Sequence, residues 1–85
     1  MTREQKELLR DIVDWRAKDF YNEMEEPWTS KNYYLSNHCN IVINKLEKEY
    51  KEKYGHLPEW KYIDDVLKTL SELNDELKRE DNSQS

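Results

Sequence analysis

Apolar residues recur along the chain at steps of three and four, in three stretches that are separated by two short breaks. This spacing places apolar side chains on one face of an α-helix, so each stretch predicts an amphipathic helix. The helices are predicted over about residues 3–24, 31–54 and 58–78, followed by a disordered polar tail over residues 79–85. The side chains predicted to face the core are Leu9, Ile12, Val13, Ala17, Phe20, Met24, Leu35, Cys39, Val42, Ile43, Leu46, Tyr50, Tyr54, Ile63, Val66, Leu70, Leu73 and Leu77.

Residues suited to helix ends flank these stretches. Thr2 and Gln5 fit a capping box at the start of the first helix. Ser30 is the expected N-cap of the second helix, with the threonine before it as the next choice. Gly55, the only glycine, stands where a left-handed residue would end the second helix. Pro58 suits the first position of the third helix.

The fold predicted from these elements is all-α, a small antiparallel three-helix bundle in a single domain over residues 1–78. The short breaks favour an up-down-up order of the helices. The third helix repeats its apolar residues in a strict heptad, which would also suit a helical hairpin that completes its core as a homodimer. Sequence alone leaves both arrangements open.

Charge and composition narrow the class of partner. The net charge of −5 argues against a sequence-independent grip on nucleic acid, which needs a basic face. It favours a protein partner with a basic surface, and an acidic nucleic-acid mimic is an alternative. The single Cys39, the charged N-terminus and the lack of a long apolar run predict a cytoplasmic protein that does not enter a membrane.

Residues for common catalytic or cofactor chemistry are sparse. One glycine is too few for a phosphate-binding loop. His38, Cys39 and His56 lack the paired spacing of a zinc site, and nothing orients a Cys39–His56 nucleophile. We therefore expect no catalytic residues, no bound metal and no cofactor.

One acidic pattern resembles a known family. Glu49-x-x-Glu52 and Glu72-x-x-Asp75 resemble the magnesium-binding motif of all-helical nucleotide pyrophosphohydrolases, and the resemblance implies magnesium-dependent hydrolysis. A site in a bundle must face inward, whereas the helical period turns Glu52, Glu72 and Asp75 away from the apolar stripes. The hydrolase is therefore kept only as an alternative function.

Several large apolar side chains fall off the core stripes. Tyr34 and Ile41 project about 130–150° from the core direction of the second helix and lie two turns apart. Tyr33 is also off this stripe, Trp15 is off the stripe of the first helix, and Trp28 lies in the first connection. Trp15 could instead line a second helix interface, and Trp28 could close the end of the bundle. Exposed aromatic groups carry much of the energy of protein binding.

These residues predict a partner-binding surface, formed by Trp15, Trp28, Tyr33, Tyr34 and Ile41. The predicted function is a non-enzymatic, acidic regulator that docks on another protein as an inhibitor or adaptor. Its size and charge are those of many small phage and mobile-element proteins, which is an analogy only. The alternative is a structural homodimer that buries the same side chains.

Arg16 is unusual because it lies within the apolar stripe of the first helix. Its aliphatic stem could cover the core while the guanidinium escapes at an edge. It could also fix the helix register, or bind within a self-association surface.

Overall fold

The computed structural model describes residues 1–83, which form three α-helices: α1 (Arg3–Glu23), α2 (Ser30–Tyr54) and α3 (Ile63–Ser83). α1 packs against both α2 and α3, so the prediction of a small all-α three-helix bundle is confirmed. None of the helices in residues 1–83 has the length and apolar character needed to cross a membrane.

Contacts near the helix ends establish the direction of each helix. Gln5 at the start of α1 donates a hydrogen bond to the Tyr50 hydroxyl near the end of α2, at 3.0 Å. Lys6 forms a 2.5 Å ion pair with Glu80 near the end of α3. α1 is therefore antiparallel to both other helices, and α2 and α3 run parallel to each other. The predicted up-down-up order was wrong in the direction of α3.

The connection between α2 and α3 explains this difference. α3 begins at Ile63 rather than at Pro58, which leaves residues 55–62 outside the helices. We call residues 55–62 the strap. At about 3.3 Å per extended residue the strap can span about 26 Å, most of the length of α1. It carries the chain back along the bundle, and no Cα atom of α2 lies within 8 Å of one in α3.

The core lies along α1 and the faces that α2, α3 and the strap turn toward it. Most of the predicted core positions are buried or half-buried, and Leu57 and Trp60 of the strap pack against the same cluster. Burial of each large aliphatic side chain contributes about 1.5–3 kcal/mol. The buried members of the cluster are Leu9, Ile12, Val13, Ala17, Tyr50, Val66 and Leu73.

Three predicted core residues are instead exposed. Phe20 lies beside the groove between α2 and the strap, and Met24 follows the last residue of α1. Leu35 is exposed because α2 has α1 as its only helical neighbour, so its buried arc is narrower than in a closed bundle. Their predicted burial was wrong.

Ion pairs join the N-terminal end of α1 to the C-terminal end of α3. Arg3 pairs with Asp81 at 2.6 Å, and Lys6 pairs with Glu80. The hydrogen bond from Lys6 to Glu80 raises the pKa of Lys6. These pairs lie on the last turns of α3, which continues to Ser83. Residues 79–83 are therefore helical, not the disordered tail predicted for them, and residues 84–85 lie outside the described part of the chain.

The single thiol is fully buried on α2. Desolvation raises the pKa of Cys39 above its ordinary value of 9.0. The neutral thiol therefore favours the folded state below that ordinary pKa, and this contribution is lost as pH rises through the raised value.

We expect a disulfide reagent at about pH 8 to react with Cys39 at least about 100-fold more slowly in the folded than in the unfolded protein. Absorbance of the released thiolate, with and without denaturant, measures the ratio. Equal rates would place Cys39 at the surface.

Candidate protein-binding surface

Tyr34 and Ile41 lie on the side of α2 that faces away from α1. They are 76% and 67% exposed, so both side chains point away from the core, as their helical positions predict. The residues from Tyr34 to Glu52 that lie within about 60° of the Ile41 direction share this face. We call this set the α2 outer face: Tyr34, Asn37, His38, Ile41, Asn44, Lys45, Lys48 and Glu52. Every one of them is exposed.

Trp28 and Tyr33 form one aromatic pair beside this face. Their ring centroids lie 4.8 Å apart in an edge-to-face arrangement. The Trp28 indole donates to the carbonyl oxygen of Asn22 at 3.0 Å, which anchors one side of the ring and leaves the residue 36% exposed. Tyr33 is 62% exposed. Trp28 therefore does not close the end of the bundle.

Trp15 is half-buried and belongs to the other edge of the α2 outer face. Its ring contacts the ring of His38 at 5.4 Å, and the ammonium of Lys18 lies 4.7 Å from its centroid. His38 stands one helical turn from Tyr34 and from Ile41. Trp15 is thus continuous with the face, although its own chain covers much of the ring.

The exposed apolar side chains collect in one half of the molecule. Among the described residues all but Met1 belong to the C-terminal half of α1, the first connection, the N-terminal half of α2 or the segment just before α3. The helix directions bring these segments to the same end, which we call the aromatic end. Its exposed members are Phe20, Tyr21, Met24, Trp28, Tyr33, Tyr34, Leu35, Ile41 and Tyr62.

Sequence reasoning missed Phe20, Tyr21, Met24, Leu35 and Tyr62 as surface groups. Phe20, Met24 and Leu35 fit the core period, so no local signal marks them. Tyr21 and Tyr62 do fall off the predicted stripes, and the criterion that found Tyr34 could have found them. Exposed apolar side chains concentrated at one end of a small domain are typical of interaction surfaces.

A buried amide pair fixes the first connection. Asn22 donates from Nδ2 to the Asn32 carbonyl oxygen at 2.9 Å, and Asn32 donates from Nδ2 to Asn22 Oδ1 at 2.7 Å. The Asn32 side chain also accepts from the backbone N–H of Thr29 and donates to Glu25. Thr29, not Ser30, is therefore the N-cap of α2, because Asn32 binds back to it.

Charges are unevenly distributed over this surface. The sequence has no Asp or Glu from Pro27 to Leu46, although the whole chain has 19 acidic residues. Lys45 and Lys48 are the cations of the α2 outer face, and Glu52 in the last turn is its only carboxylate. Near the aromatic end, acids lie just before Pro27 and in the first turn of α3, where Asp64 and Asp65 are exposed. The immediate surroundings of Tyr34 and Ile41 are therefore neutral to basic.

Arg16 is bound within its own chain. Its guanidinium pairs with Glu47 of α2 and lies 5.4 Å from the Trp60 ring centroid, and its side chain is 39% exposed. These groups line an open groove of about 780 Å³ between α2 and the strap. The stem covers the core and the head reaches the groove, as the first of the two sequence interpretations expected.

The acids of the hydrolase motif do not converge. Glu52, Glu72 and Asp75 are exposed, and Glu49 pairs with Lys53 on the same helix at 2.9 Å. Within residues 1–83, no group of three or more His, Cys, Asp or Glu side chains could hold a metal ion.

Comparison with known proteins assigns no family to this arrangement. No protein-family model matches the chain, and neither a curated protein nor a solved structure is significantly similar to it.

Proposed function

We propose that this protein is a non-enzymatic helical regulator that docks on another protein, as an inhibitor or adaptor. The docking surface would be the α2 outer face with the adjoining aromatic end. The observation that carries the proposal is the exposure of Tyr34 and Ile41 in a chain that closes a core of its own. Tyrosine suits such a role because it buries a large ring while the hydroxyl keeps a hydrogen-bonding partner.

Docking of a helix face fits the geometry better than binding in a pocket. Tyr34 and Ile41 are seven residues apart and present one apolar line along a rigid helix. Trp28 and Tyr33 extend that line at its N-terminal end, and their mutual ring contact limits the side-chain entropy lost on binding. If the docked partner surface is its functional site, binding blocks that site and the protein acts as an inhibitor. If the partner stays free to bind a further protein, the protein acts as an adaptor.

The proposal places the protein in the cytoplasm, where its buried free thiol would stay reduced.

The double substitution Tyr34→Ala and Ile41→Ala tests the docking surface. Since both side chains point into solvent, we expect the unfolding free energy to change by less than about 0.5 kcal/mol. Recovery of the partner from native host lysate on the tagged protein should fall at least about tenfold, because apolar contacts at the centre of an interface dominate its affinity. Circular dichroism on melting and quantitative mass spectrometry of the retained proteins give the two readouts.

Lys68→Ala with Asp75→Ala is a matched control, since it changes two exposed residues seven positions apart on α3 without altering net charge. It should retain the partner fully. An early melting transition in the Tyr34/Ile41 variant would show that these side chains stabilise the monomer. Light scattering over a range of concentrations checks the dimer alternative. A particle twice the 10.5 kDa chain mass, reduced to monomer by the same substitution, would assign the surface to a second copy.

A further inference from the structure

The charges next to the exposed apolar line specify what kind of protein surface can bind there. We infer that the partner presents an acidic amphipathic helix to the α2 outer face, with its apolar residues on Tyr34 and Ile41 and its carboxylates on Lys45 and Lys48. The inference rests on the proposed function and replaces the basic partner that net charge alone suggests. It concerns the local field, because at physiological salt charges act over only about 8 Å.

Lys45 and Lys48 have no partner within the described chain. Neither forms a hydrogen bond or salt bridge with another described residue. Three of the described lysines do pair with a carboxylate: Lys6 with Glu80, Lys18 with Asp14 and Lys53 with Glu49. The two free ammonium groups lie four and seven residues after Ile41 on the same face, so they follow the apolar line at its C-terminal end.

The acids that could repel a carboxylate-bearing partner are engaged or lie elsewhere. Glu47 is bound to Arg16, and Glu49 is bound to Lys53. Glu25 accepts from Asn32 in the first connection. On the outer face itself only Glu52 remains, one helical turn beyond Lys48. Carboxylates of a docked helix would therefore meet no like charge over the first four turns of α2, and then the two unpaired cations before Glu52.

Nucleic acid is also anionic, but the surface fits it less well. A phosphate backbone needs a row of cations, whereas the centre of this face is Ile41 with Tyr34 and two asparagines. A short acidic helix with an apolar stripe matches both components of the face.

The test uses the tagged full chain in nuclease-treated and untreated native host lysate. After capture, a carbodiimide links amines to carboxylates in direct contact, and peptide mass spectrometry maps the joined residues. We expect links from Lys45 or Lys48 to Asp or Glu of a captured protein, in both lysates. Lys45→Glu with Lys48→Glu should lower recovery at least about tenfold, since attraction becomes like-charge repulsion.

Two variants serve as controls. Lys45→Arg with Lys48→Arg keeps both positive charges and should retain the partner, although arginine does not react with the carbodiimide. Lys68→Glu with Lys78→Glu makes the same charge change at exposed positions of α3 and should leave recovery unchanged.

Each other result overturns the inference in a distinguishable way. Full recovery on the Lys45/Lys48 glutamate variant, or links that join partner lysines to Glu23 or Glu26, would show a basic partner and leave the proposed function standing. Loss of all captured material after nuclease treatment would assign the face to nucleic acid. If the unsubstituted protein and the Tyr34/Ile41 variant capture the same proteins in the same amounts, both the inference and the proposed function fail.

Discussion

Replacing Trp60 with alanine should lower the free energy of unfolding by about 3 kcal/mol, since Trp→Ala changes at packed sites typically cost 3–5 kcal/mol and this ring is only partly buried. Trp60 packs against the core cluster from the strap, and its indole donates to the Thr69 hydroxyl at 3.2 Å. The Arg16 guanidinium also lies over its ring. One side chain thus joins the strap to α1 and to α3. The loss is a large share of the roughly 4–13 kcal/mol expected for a chain of this length.

Urea unfolding followed by circular dichroism measures this effect. Trp60→Phe keeps most of the ring and removes only the indole donor, so we expect a loss of about 1 kcal/mol. Tyr62→Ala changes a strap residue that is 70% exposed and should have almost no effect. A wild-type midpoint for Trp60→Ala would mean that the strap is not anchored to the bundle, and the parallel arrangement of α2 and α3 would need another explanation.

The strap also shows where the periodic pattern stopped being informative. Gly55 was correctly placed at the end of α2, because its positive φ of 86° is a local requirement that glycine meets at low cost. Pro58 was equally suited to start a helix, but no helix begins before Ile63. The choice depends on whether Leu57 and Trp60 reach the core, which is a tertiary contact that helical spacing does not encode.

The exposure of individual surface residues also depends partly on the local helical period and partly on tertiary contacts. The outward direction of Tyr34 and Ile41 follows from the helical period and one stripe, so the sequence was enough to find them. Phe20 and Met24 have the same periodic spacing but are exposed, because Met24 lies past the end of α1 and Phe20 borders an open groove. Net charge likewise does not describe the local distribution of charge, because the stretch from Pro27 to Leu46 that contains Tyr34 and Ile41 has no carboxylate.

The buried asparagines were not predicted at all, because each looks like an ordinary polar helix residue until both helices are placed. Together they satisfy four polar groups at the first connection: the Asn32 carbonyl, the Thr29 backbone N–H and the two amide side chains themselves. A complete buried network of this kind fixes geometry, since any slip between α1 and α2 would leave polar atoms unpaired.

Asn32→Ala should therefore lower the free energy of unfolding by about 3 kcal/mol, from the unpaired Asn22 amide and the lost cap of α2. Asn40→Ala is the matched control, because it is the same substitution at an exposed position of the same helix and should change stability by less than about 0.5 kcal/mol. In a double-mutant cycle Asn22→Ala should add little once Asn32 is gone.

The same substitution links stability to the proposed surface. Trp28 donates to the carbonyl oxygen of Asn22, and its ring holds Tyr33, so a loosened connection should release both rings. Under conditions where Asn32→Ala is still folded, partner recovery should fall although the exposed Tyr34 and Ile41 are unchanged. Full recovery with a 3 kcal/mol loss would restrict docking to the α2 outer face and remove Trp28 and Tyr33 from it.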